Sequence, residues 1–296
     1  MGQTTAKPSR PAGWIAPPSG PLLPTPVEFG PFWLIQELGS GAFGTAFLAL
    51  RKEDVVDAKR RSCDLLFRAT SKKFVVKTFR RKDDWETERK AAARVRVKVE
   101  EAKCGDAHLL RFRDEAEDAH GTPALVFEYC NAGDLRRLVE RCRRRREPLS
   151  PFEVLTIATQ LCGALCALKA ARIVHCDVAL RNVFVQWNPD DGSVCVKLGD
   201  FGTCQDLGYQ LAKERVPYSA HTAPEVDAEL APEVDAELAP EAEAKGAASF
   251  NEQIDVYSFG VVLFELMAAR IVRVPTRLLK FGCREDERAA IESDLA

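Results

Sequence analysis

One short segment, residues 173–185, constrains the fold of this chain more than any other and reads I-V-H-C-D-V-A-L-R-N-V-F-V. It places Asp177 five residues before Asn182, with Arg181 between them and apolar residues on both flanks. The apolar flanks indicate buried segments, so these polar residues share one short loop. The loop therefore combines a carboxylate that can accept a proton with an amide oxygen that can bind a hard metal ion.

Four other segments of the chain carry short sequence motifs, and the order of these motifs along the chain indicates a protein family. A glycine-rich turn, G-S-G-A-F-G, occupies residues 39–44, and residues 74–79 form an apolar run around Lys77. The letters D-F-G follow at residues 200–202, and D-V-Y-S-F-G at residues 255–260. A G-x-G-x-x-G turn alone also matches dinucleotide-binding proteins, in which it opens a helix instead of joining two strands. In this order, over about residues 32–270, the segments resemble the eukaryotic protein kinases.

This resemblance implies an α+β, two-lobed protein-kinase-like fold, with a small β-rich N-lobe and an incomplete helical C-lobe. The expected limits are about residues 32–127 for the N-lobe, 128–133 for the hinge and 134–296 for the C-lobe. A truncated C-lobe is expected because the later helices of the family find no match in the charged end of the chain. Residues 1–31 are rich in proline, which interrupts helices and central strands, so we expect a disordered tail there.

The resemblance also assigns chemistry to particular side chains. Asp177 would accept the hydrogen bond and the proton of a substrate hydroxyl, with Arg181 as the basic residue of the catalytic loop. Lys77 would hold the phosphates of ATP, while Asn182 and Asp200 would bind Mg²⁺. The implied cofactors are therefore ATP and Mg²⁺, and the implied partner is a protein substrate.

The same resemblance predicts a nucleotide pocket made by the glycine turn, the lysine strand, the hinge and the catalytic loop. Its predicted members are Gly39, Ser40, Gly41, Gly44, Ala46, Val75, Lys77, Glu88, Phe127, Glu128, Cys130 and Phe184. Ala46 and Val75 exchange the usual valine and alanine of the family, which roughly conserves the volume above the purine.

A lysine within an apolar strand needs an acidic partner, because an unpaired buried charge is costly. Residues 83–103 are rich in alanine, glutamate, lysine and arginine, which predicts a helix that could supply this partner. We favour Glu88, and Glu86 and Glu100 remain alternatives.

Two features of the catalytic loop bear on specificity and regulation. Ala179 stands where serine/threonine kinases usually have lysine, and Arg181 matches the tyrosine-kinase pattern D-L-A-A-R-N, which favours tyrosine or dual specificity. The tyrosine-kinase P-x-x-W before A-P-E is nevertheless absent. Cys176 replaces an arginine that usually contacts a phosphate on the activation loop, which implies an enzyme that such phosphorylation does not switch.

An internal repeat falls where the resemblance places the end of the activation segment. The unit A-P-E-V-D-A-E-L occupies residues 223–230, recurs identically at 231–238 and begins again at 239. The repeat adds acidic, flexible chain beside the substrate site, so looser substrate positioning and a preference for basic peptides are expected.

Composition restricts the other classes of function. The net charge of -2 argues against a nucleic-acid or membrane-surface role. Ten cysteines without a C-x-x-C pair indicate reduced thiols in a cytoplasmic or nuclear protein. No apolar run is expected to reach the roughly 18 residues that span a bilayer, so no stable membrane insertion is predicted. Seven arginines within residues 136–146 favour a solvated helix end over a nucleic-acid site, and nothing indicates an oligomeric state.

Two interpretations compete with an active kinase. A pseudokinase or regulatory binding module would keep the fold without efficient turnover, as the repeat and the missing helices suggest. An incomplete chain without a stable fold is the other. The presence of Lys77, Asp177, Asn182 and Asp200 together favours the enzyme.

Overall fold

Strands dominate the first part of the chain and helices the second. The computed structural model describes residues 20–41, 43–55, 62–63, 72–188, 190–208 and 252–268. The repeat, residues 1–19 and the end of the chain after residue 268 lie outside these described residues. The predictions made for the repeat and for the end of the C-lobe therefore fall outside the described part of the chain.

The N-lobe is built on one antiparallel sheet with the strand order β1-β2-β3-β4-β6-β5. Its strands are β1 (Leu22–Phe29), β2 (Phe32–Ser40), β3 (Gly44–Arg51), β4 (Lys73–Phe79), β5 (Phe112–Glu117) and β6 (Pro123–Glu128). The helix α1 (Lys82–Glu101) lies between β4 and β5 in the chain and packs against the sheet. The glycine turn joins β2 to β3 and opens no helix, which excludes the dinucleotide-binding interpretation.

The strand β1 corrects the predicted tail, because residues 22–29 are paired with β2 and are not a disordered extension. β1 is an edge strand, and its register shifts between Leu22 and Val27. Pro24 and Pro26 lie inside this irregular stretch. Proline cannot donate to a ladder but is tolerated on an edge strand or at a bulge, so these prolines exclude only a central strand.

The register of the strands separates two faces of the sheet. The outer face carries a cluster of buried apolar residues, Phe29, Phe32, Leu34, Ala49, Phe74, Val76, Ala124 and Val126. Side chains alternate between the faces, so Val75 and Lys77 lie on the inner face. Their Cα partners are Phe127 for Val75 and Ala46 for Lys77. The inner face therefore collects the residues predicted to surround the nucleotide.

The C-lobe consists of helices and two short antiparallel strand pairs. Its helices are α2 (Leu135–Arg145), α3 (Pro151–Ala170) and α4 (Glu252–Ala268). Its strand pairs are β7 (Ile173–Val174) with β10 (Gln205–Asp206), and β8 (Val183–Trp187) with β9 (Val194–Leu198). One apolar core runs from α1 and the inner face of the sheet into α3 and α4. The two-lobed α+β fold is confirmed.

Helix α3 corrects the expectation that no apolar segment approaches the length of a membrane span. By length and composition alone, this 20-residue helix could cross a bilayer. In the fold, however, Ile157, Leu161 and Leu168 are fully buried in the shared core. The buried share of its most apolar 18-residue window is 28%, and the helix contacts β7, β9 and α4.

The start of α3 follows the predicted capping box. The Ser150 hydroxyl accepts a hydrogen bond from the Glu153 backbone N–H, and the Glu153 carboxylate accepts one from the Ser150 N–H, at 3.3 and 2.7 Å. Pro151 occupies the first helical position, where its missing N–H costs nothing.

We therefore expect Ser150→Ala to lower the free energy of unfolding by about 1 kcal/mol, because it removes the partner of an N-terminal amide. Urea denaturation measures this change. Thr159→Ala is the matched control, since it removes an exposed hydroxyl from the interior of the same helix. Equal stability of the two variants would contradict a stabilising cap.

Candidate active site

Three charged side chains meet where the inner face of the sheet approaches the C-lobe. The Lys77 Nζ lies 2.7 and 2.6 Å from the two carboxylate oxygens of Glu88, and 3.6 Å from Asp200 Oδ1. Of the three glutamates considered for this pair, α1 brings Glu88 to the lysine. Glu86 instead faces Lys90 at 3.5 Å, and Glu100 is exposed on the last turn of α1.

Burial and charge act in opposite directions in this cluster. Burial alone would lower the pKa of Lys77, but the carboxylates of Asp200 and Glu88 raise it, so the ammonium stays charged. Burial raises the pKa of Glu88 to about 7, against the opposing effect of the Lys77 charge. Glu88 is thus an ionisable group whose charge depends on pH near neutrality.

The Asp255 side chain of α4 anchors the catalytic loop. Its two carboxylate oxygens accept the backbone N–H groups of His175 and Cys176, at 2.7 and 2.9 Å. Cys176 has a φ of 67°, a left-handed conformation that is unusual for a residue other than glycine. The charge-assisted hydrogen bonds that these two N–H groups donate to Asp255 hold the backbone in this conformation.

His175 connects the catalytic loop to the D-F-G segment. Its Nε2 lies 3.2 Å from the carbonyl oxygen of Gly199, and its ring meets the Phe201 ring edge-on at 5.8 Å. The Thr203 hydroxyl donates to the His175 carbonyl at 2.9 Å. Asp200 lies between these contacts and has a φ of 66°. The contacts thus fix the strained turn that presents its carboxylate.

Asp177 lies in the loop with both of its carboxylate oxygens engaged. Arg181 Nη2 donates to them at 2.5 and 2.7 Å, and Asn182 Nδ2 donates to Asp177 Oδ2 and to its carbonyl oxygen, each at 2.8 Å. Asp177 and Asn182 are buried. The arginine neutralises the carboxylate and fixes its orientation, and the amide bonds tie Asn182 to the same loop.

The chemistry of Asn182 and Asp200 fits a magnesium ion. Both offer oxygen ligands, and the Asp200 side chain is 43% exposed toward the cleft. Within the described residues no three His, Cys, Asp or Glu side chains cluster as a complete metal site. Mg²⁺ is commonly held by one or two protein carboxylates together with phosphate and water, so a site of two protein ligands can suffice for it.

The residues predicted to surround the purine lie together on the inner face and in the strand below it. Ala46 and Val75 are half-buried, and Phe127 packs against Phe112 at a centroid distance of 5.8 Å. Phe184 lies on β8, where it forms an isolated bridge with Asp134. The nucleotide-facing side of the sheet and the floor of the cleft are thus both apolar.

The hinge positions Glu128 and Cys130 follow at the end of β6. The Glu128 carboxylate accepts the Arg111 backbone N–H at 2.8 Å and faces Lys197 Nζ at 3.1 Å. This side chain therefore fastens the hinge to the C-lobe, and any contact with adenine falls to the backbone. Cys130 lies two residues beyond the last residue of the strand and is buried.

The glycine turn closes with a hydrogen bond from Gly41 N–H to the Gly44 carbonyl at 2.9 Å, and the Ser40 hydroxyl lies 3.0 Å from that of Thr45. A Cβ on Gly44 would lie 1.9 Å from the Thr78 carbonyl oxygen, so only glycine fits there. A Cβ on Gly41 would meet nothing within 4 Å, and Gly39 has only an arginine side chain nearby. The backbone at Gly39 and Gly41 is thus free of side-chain bulk, so a ligand could approach it closely.

Sequence reasoning missed two arginines that hold the site together. Arg137 of α2 donates to the Leu38 carbonyl at 3.0 Å and lies 3.3 Å from Asp134, so it connects the base of the glycine turn to the C-lobe. Arg94 of α1 donates to the Cys204 carbonyl just after the D-F-G segment. Both contacts join residues about a hundred positions apart, and a local pattern carries no signal for them.

A family model described as protein tyrosine and serine/threonine kinase matches residues 32–276. The chain is 27% identical to serine/threonine-protein kinase Nek3 of Mus musculus over 81% of this chain and 38% of that protein. It is 30% identical to serine/threonine-protein kinase Nek2 of Homo sapiens over 54% of this chain and 33% of that protein. The chain thus spans less than two fifths of either relative. Both names specify serine/threonine, so the comparisons do not support the tyrosine or dual preference.

We expect Asp255→Asn to destabilise the protein by roughly 1–3 kcal/mol, because one of the two buried N–H groups would then face an NH₂ donor and lose its acceptor. Urea denaturation reports the change. Glu252→Gln in the same helix is the control: its ion pair with Lys169 is exposed, so its loss costs little. An Asp255→Asn variant as stable as the control would show that the anchor is dispensable.

We expect the stability difference between the wild type and Glu88→Gln to depend on pH. Between its ordinary pKa of about 4.5 and about 7, Glu88 keeps a proton in the folded protein that the unfolded chain releases. The free energy of unfolding should therefore fall as pH rises through this window, with a slope of up to about 1.4 kcal/mol per pH unit for the one proton released, and level off above it. Denaturation of both proteins from pH 5 to 8 measures this, and parallel profiles would contradict the raised pKa.

Proposed function

Since the chain belongs to the protein tyrosine and serine/threonine kinase family, we propose that it transfers the γ-phosphate of ATP to hydroxyl groups of proteins in the presence of Mg²⁺. The observation that carries the proposal is the convergence of Lys77, Glu88 and Asp200 with the loop that holds Asp177 and Asn182. Phosphoryl transfer depends mainly on positioning and on neutralising charge, and this arrangement supplies both.

Different residues would bind different parts of the phosphate donor, ATP. Lys77, oriented by Glu88, would bind the phosphate tail of ATP, and the backbone of the glycine turn would cover it. Asn182 and Asp200 would hold Mg²⁺, which neutralises the negative charge that develops on the phosphates. Ala46, Val75, Phe127 and Phe184 would enclose the purine, and the backbone of Glu128 and Cys130 would bind its edge.

Asp177 would act on the acceptor. Its carboxylate would accept a hydrogen bond from the substrate hydroxyl and take up the proton as the oxygen forms its bond to phosphorus and ADP leaves. Arg181 contacts both oxygens of this carboxylate and so fixes its orientation toward the acceptor. Asn182, one of the two proposed metal ligands, donates to the same carboxylate and so fixes the distance between Asp177 and the proposed metal site.

We propose serine and threonine as the acceptors. The relatives named above are serine/threonine kinases, whereas the opposite inference depends on Ala179 and Arg181 alone. Arg181 is engaged with Asp177, so its role within the loop does not require a tyrosine substrate. The relatives' names likewise do not favour a pseudokinase.

Regulation and location follow as proposals from the same residues. Burial raises the pKa of the Cys176 thiol, so the thiol stays neutral. A cysteine also has no cationic form, so it cannot supply the positive charge with which an arginine would pair with a phosphate on the activation segment. We propose that activity does not require phosphorylation there. The protein would act in the cytoplasm or nucleus on protein substrates, without nucleic acid and without membrane insertion.

Transfer of labelled γ-phosphate from Mg-ATP to a mixed protein substrate tests the function. We expect Asp177→Asn to reduce the rate by about 10²–10⁴-fold, since removing a general base has effects of this size. Asp83→Asn, whose side chain is 80% exposed, should leave the rate unchanged. Alkali-labile product would identify phosphoserine or phosphothreonine, and equal rates in the wild type and Asp177→Asn would refute the proposed chemistry.

A further inference from the structure

Two segments of opposite charge have no part in the proposed transfer reaction. The first, the arginine cluster, occupies the last turn and the C-cap of α2 and consists of four exposed residues, Arg143, Arg144, Arg145 and Arg146. The second, the acidic repeat, comprises residues 223–243 and holds eight Asp and Glu residues without any Lys, Arg or His. The chain therefore carries a dense positive segment and a dense negative one.

The described residues do not balance the charge of the arginine cluster. Earlier in α2, Arg136 pairs with Glu140 and Arg137 pairs with Asp134, each at 3.3 Å. No carboxylate in the described part of the chain forms such an ion pair with the cluster, and Arg144 Nε donates to the backbone carbonyl of Glu140 at 3.3 Å. The cluster therefore presents unneutralised guanidinium groups at the surface.

The arginines at this end of α2 also repel one another. Burial lowers the pKa of Arg141, and the neighbouring charges of Arg145 and Arg144 lower it further. The negative end of the helix macrodipole favours cations here, but it amounts to roughly half an elementary charge, against four arginines. An acidic segment bound to the cluster would therefore relieve repulsion as well as supply attraction.

The part of the chain that contains the acidic repeat starts and ends at one place on the C-lobe. Leu207 donates its N–H to the carbonyl of Arg172, just beyond the end of α3, at 2.9 Å. Glu252, the first residue of α4, lies 3.0 Å from Lys169 in the last turn of α3. Residues 209–251, which lie outside the described part, are therefore tethered at both ends near the C-terminal end of α3.

The arginine cluster lies near the opposite end of α3, because only residues 147–150 separate it from the first residue of that helix. A helix of 20 residues is about 30 Å long. Glu233, in the middle of the repeat, is 25 residues from Gly208 and 19 residues from Glu252. Since an extended chain spans about 3.3 Å per residue, each arm could cover about 60 Å. The repeat is thus long enough to reach the cluster.

We propose that the arginine cluster of α2 binds the acidic repeat of the same chain. Each unit of the repeat carries carboxylates at alternate positions, which are Glu225, Asp227 and Glu229 in the first, so several of them can pair with adjacent guanidinium groups. Single exposed ion pairs are weak, but the tether holds the repeat at a high effective concentration. The bound repeat would also keep other polyanions, such as nucleic acid, from the cluster.

The test asks whether the repeat occupies the cluster within the full chain. Fluorescence anisotropy follows the binding of a labelled peptide with the sequence of residues 223–238. The peptide is titrated with the wild type and with a full-length neutral-repeat variant, in which six carboxylates become amides: E225Q, D227N, E229Q, E233Q, D235N and E237Q. We expect the neutral-repeat variant to bind the peptide about tenfold more tightly than the wild type, because the wild type's own repeat competes.

Substitutions in the cluster locate the contact. In the neutral-repeat background, Arg143→Gln with Arg145→Gln should weaken peptide binding by about fivefold, because the charges that pair with the peptide are lost. Arg143→Lys with Arg145→Lys keeps the charge and should change binding by less than about twofold. Arg81→Gln with Arg96→Gln is the matched control, since it removes the same charge from exposed positions before and within α1 and should have no effect.

Equal peptide binding by the wild type and the neutral-repeat variant would overturn the proposal, as would equal effects of the cluster substitutions and their control. A single-stranded oligonucleotide that binds the wild type as tightly as the neutral-repeat variant would also overturn it, because the cluster would then be open to nucleic acid. If a cluster variant failed to fold, as circular dichroism would reveal, the first comparison would still decide, since it leaves α2 unchanged. Binding is read without ATP or phosphate transfer, so failure of this proposal is distinct from failure of the proposed function.

Discussion

The active site depends on one buried carboxylate, that of Asp255. It accepts two consecutive backbone N–H groups, those of His175 and Cys176, and so fixes the start of the catalytic loop in a left-handed conformation. The His175 ring in turn positions the D-F-G segment through its contacts with the Gly199 carbonyl and the Phe201 ring. Asp177 and Asp200 belong to different strand ends, yet both take their position from this anchor. A helix near the end of the described chain therefore organises the chemistry of loops far from it in sequence.

The second constraint is the charge balance in the cleft. Lys77 is surrounded by Glu88 and Asp200, and Glu88 is buried enough that its pKa rises toward neutrality. The pair thus depends on how closely α1 packs on the sheet and on Phe201.

Much of this site could be predicted from sequence because its parts are local. The capping box at Ser150, the lysine strand and the loop from His175 to Asn182 each occupy a few consecutive residues with a distinct chemical pattern. Other parts depend on contacts between distant residues, such as Arg137 with the Leu38 carbonyl and Arg94 with that of Cys204. The strand β1 escaped prediction because its prolines exclude a central strand but not an edge.

The central claim is that these residues form one site for a nucleotide and Mg²⁺. Isothermal titration of a non-hydrolysable ATP analogue, with and without Mg²⁺, tests it most directly in the wild type and in Asp200→Asn. The account predicts that Mg²⁺ strengthens binding to the wild type and has little effect on the variant, which lacks the carboxylate ligand. Binding that is equally strong with and without Mg²⁺ in the wild type, or no binding at all, would contradict the account.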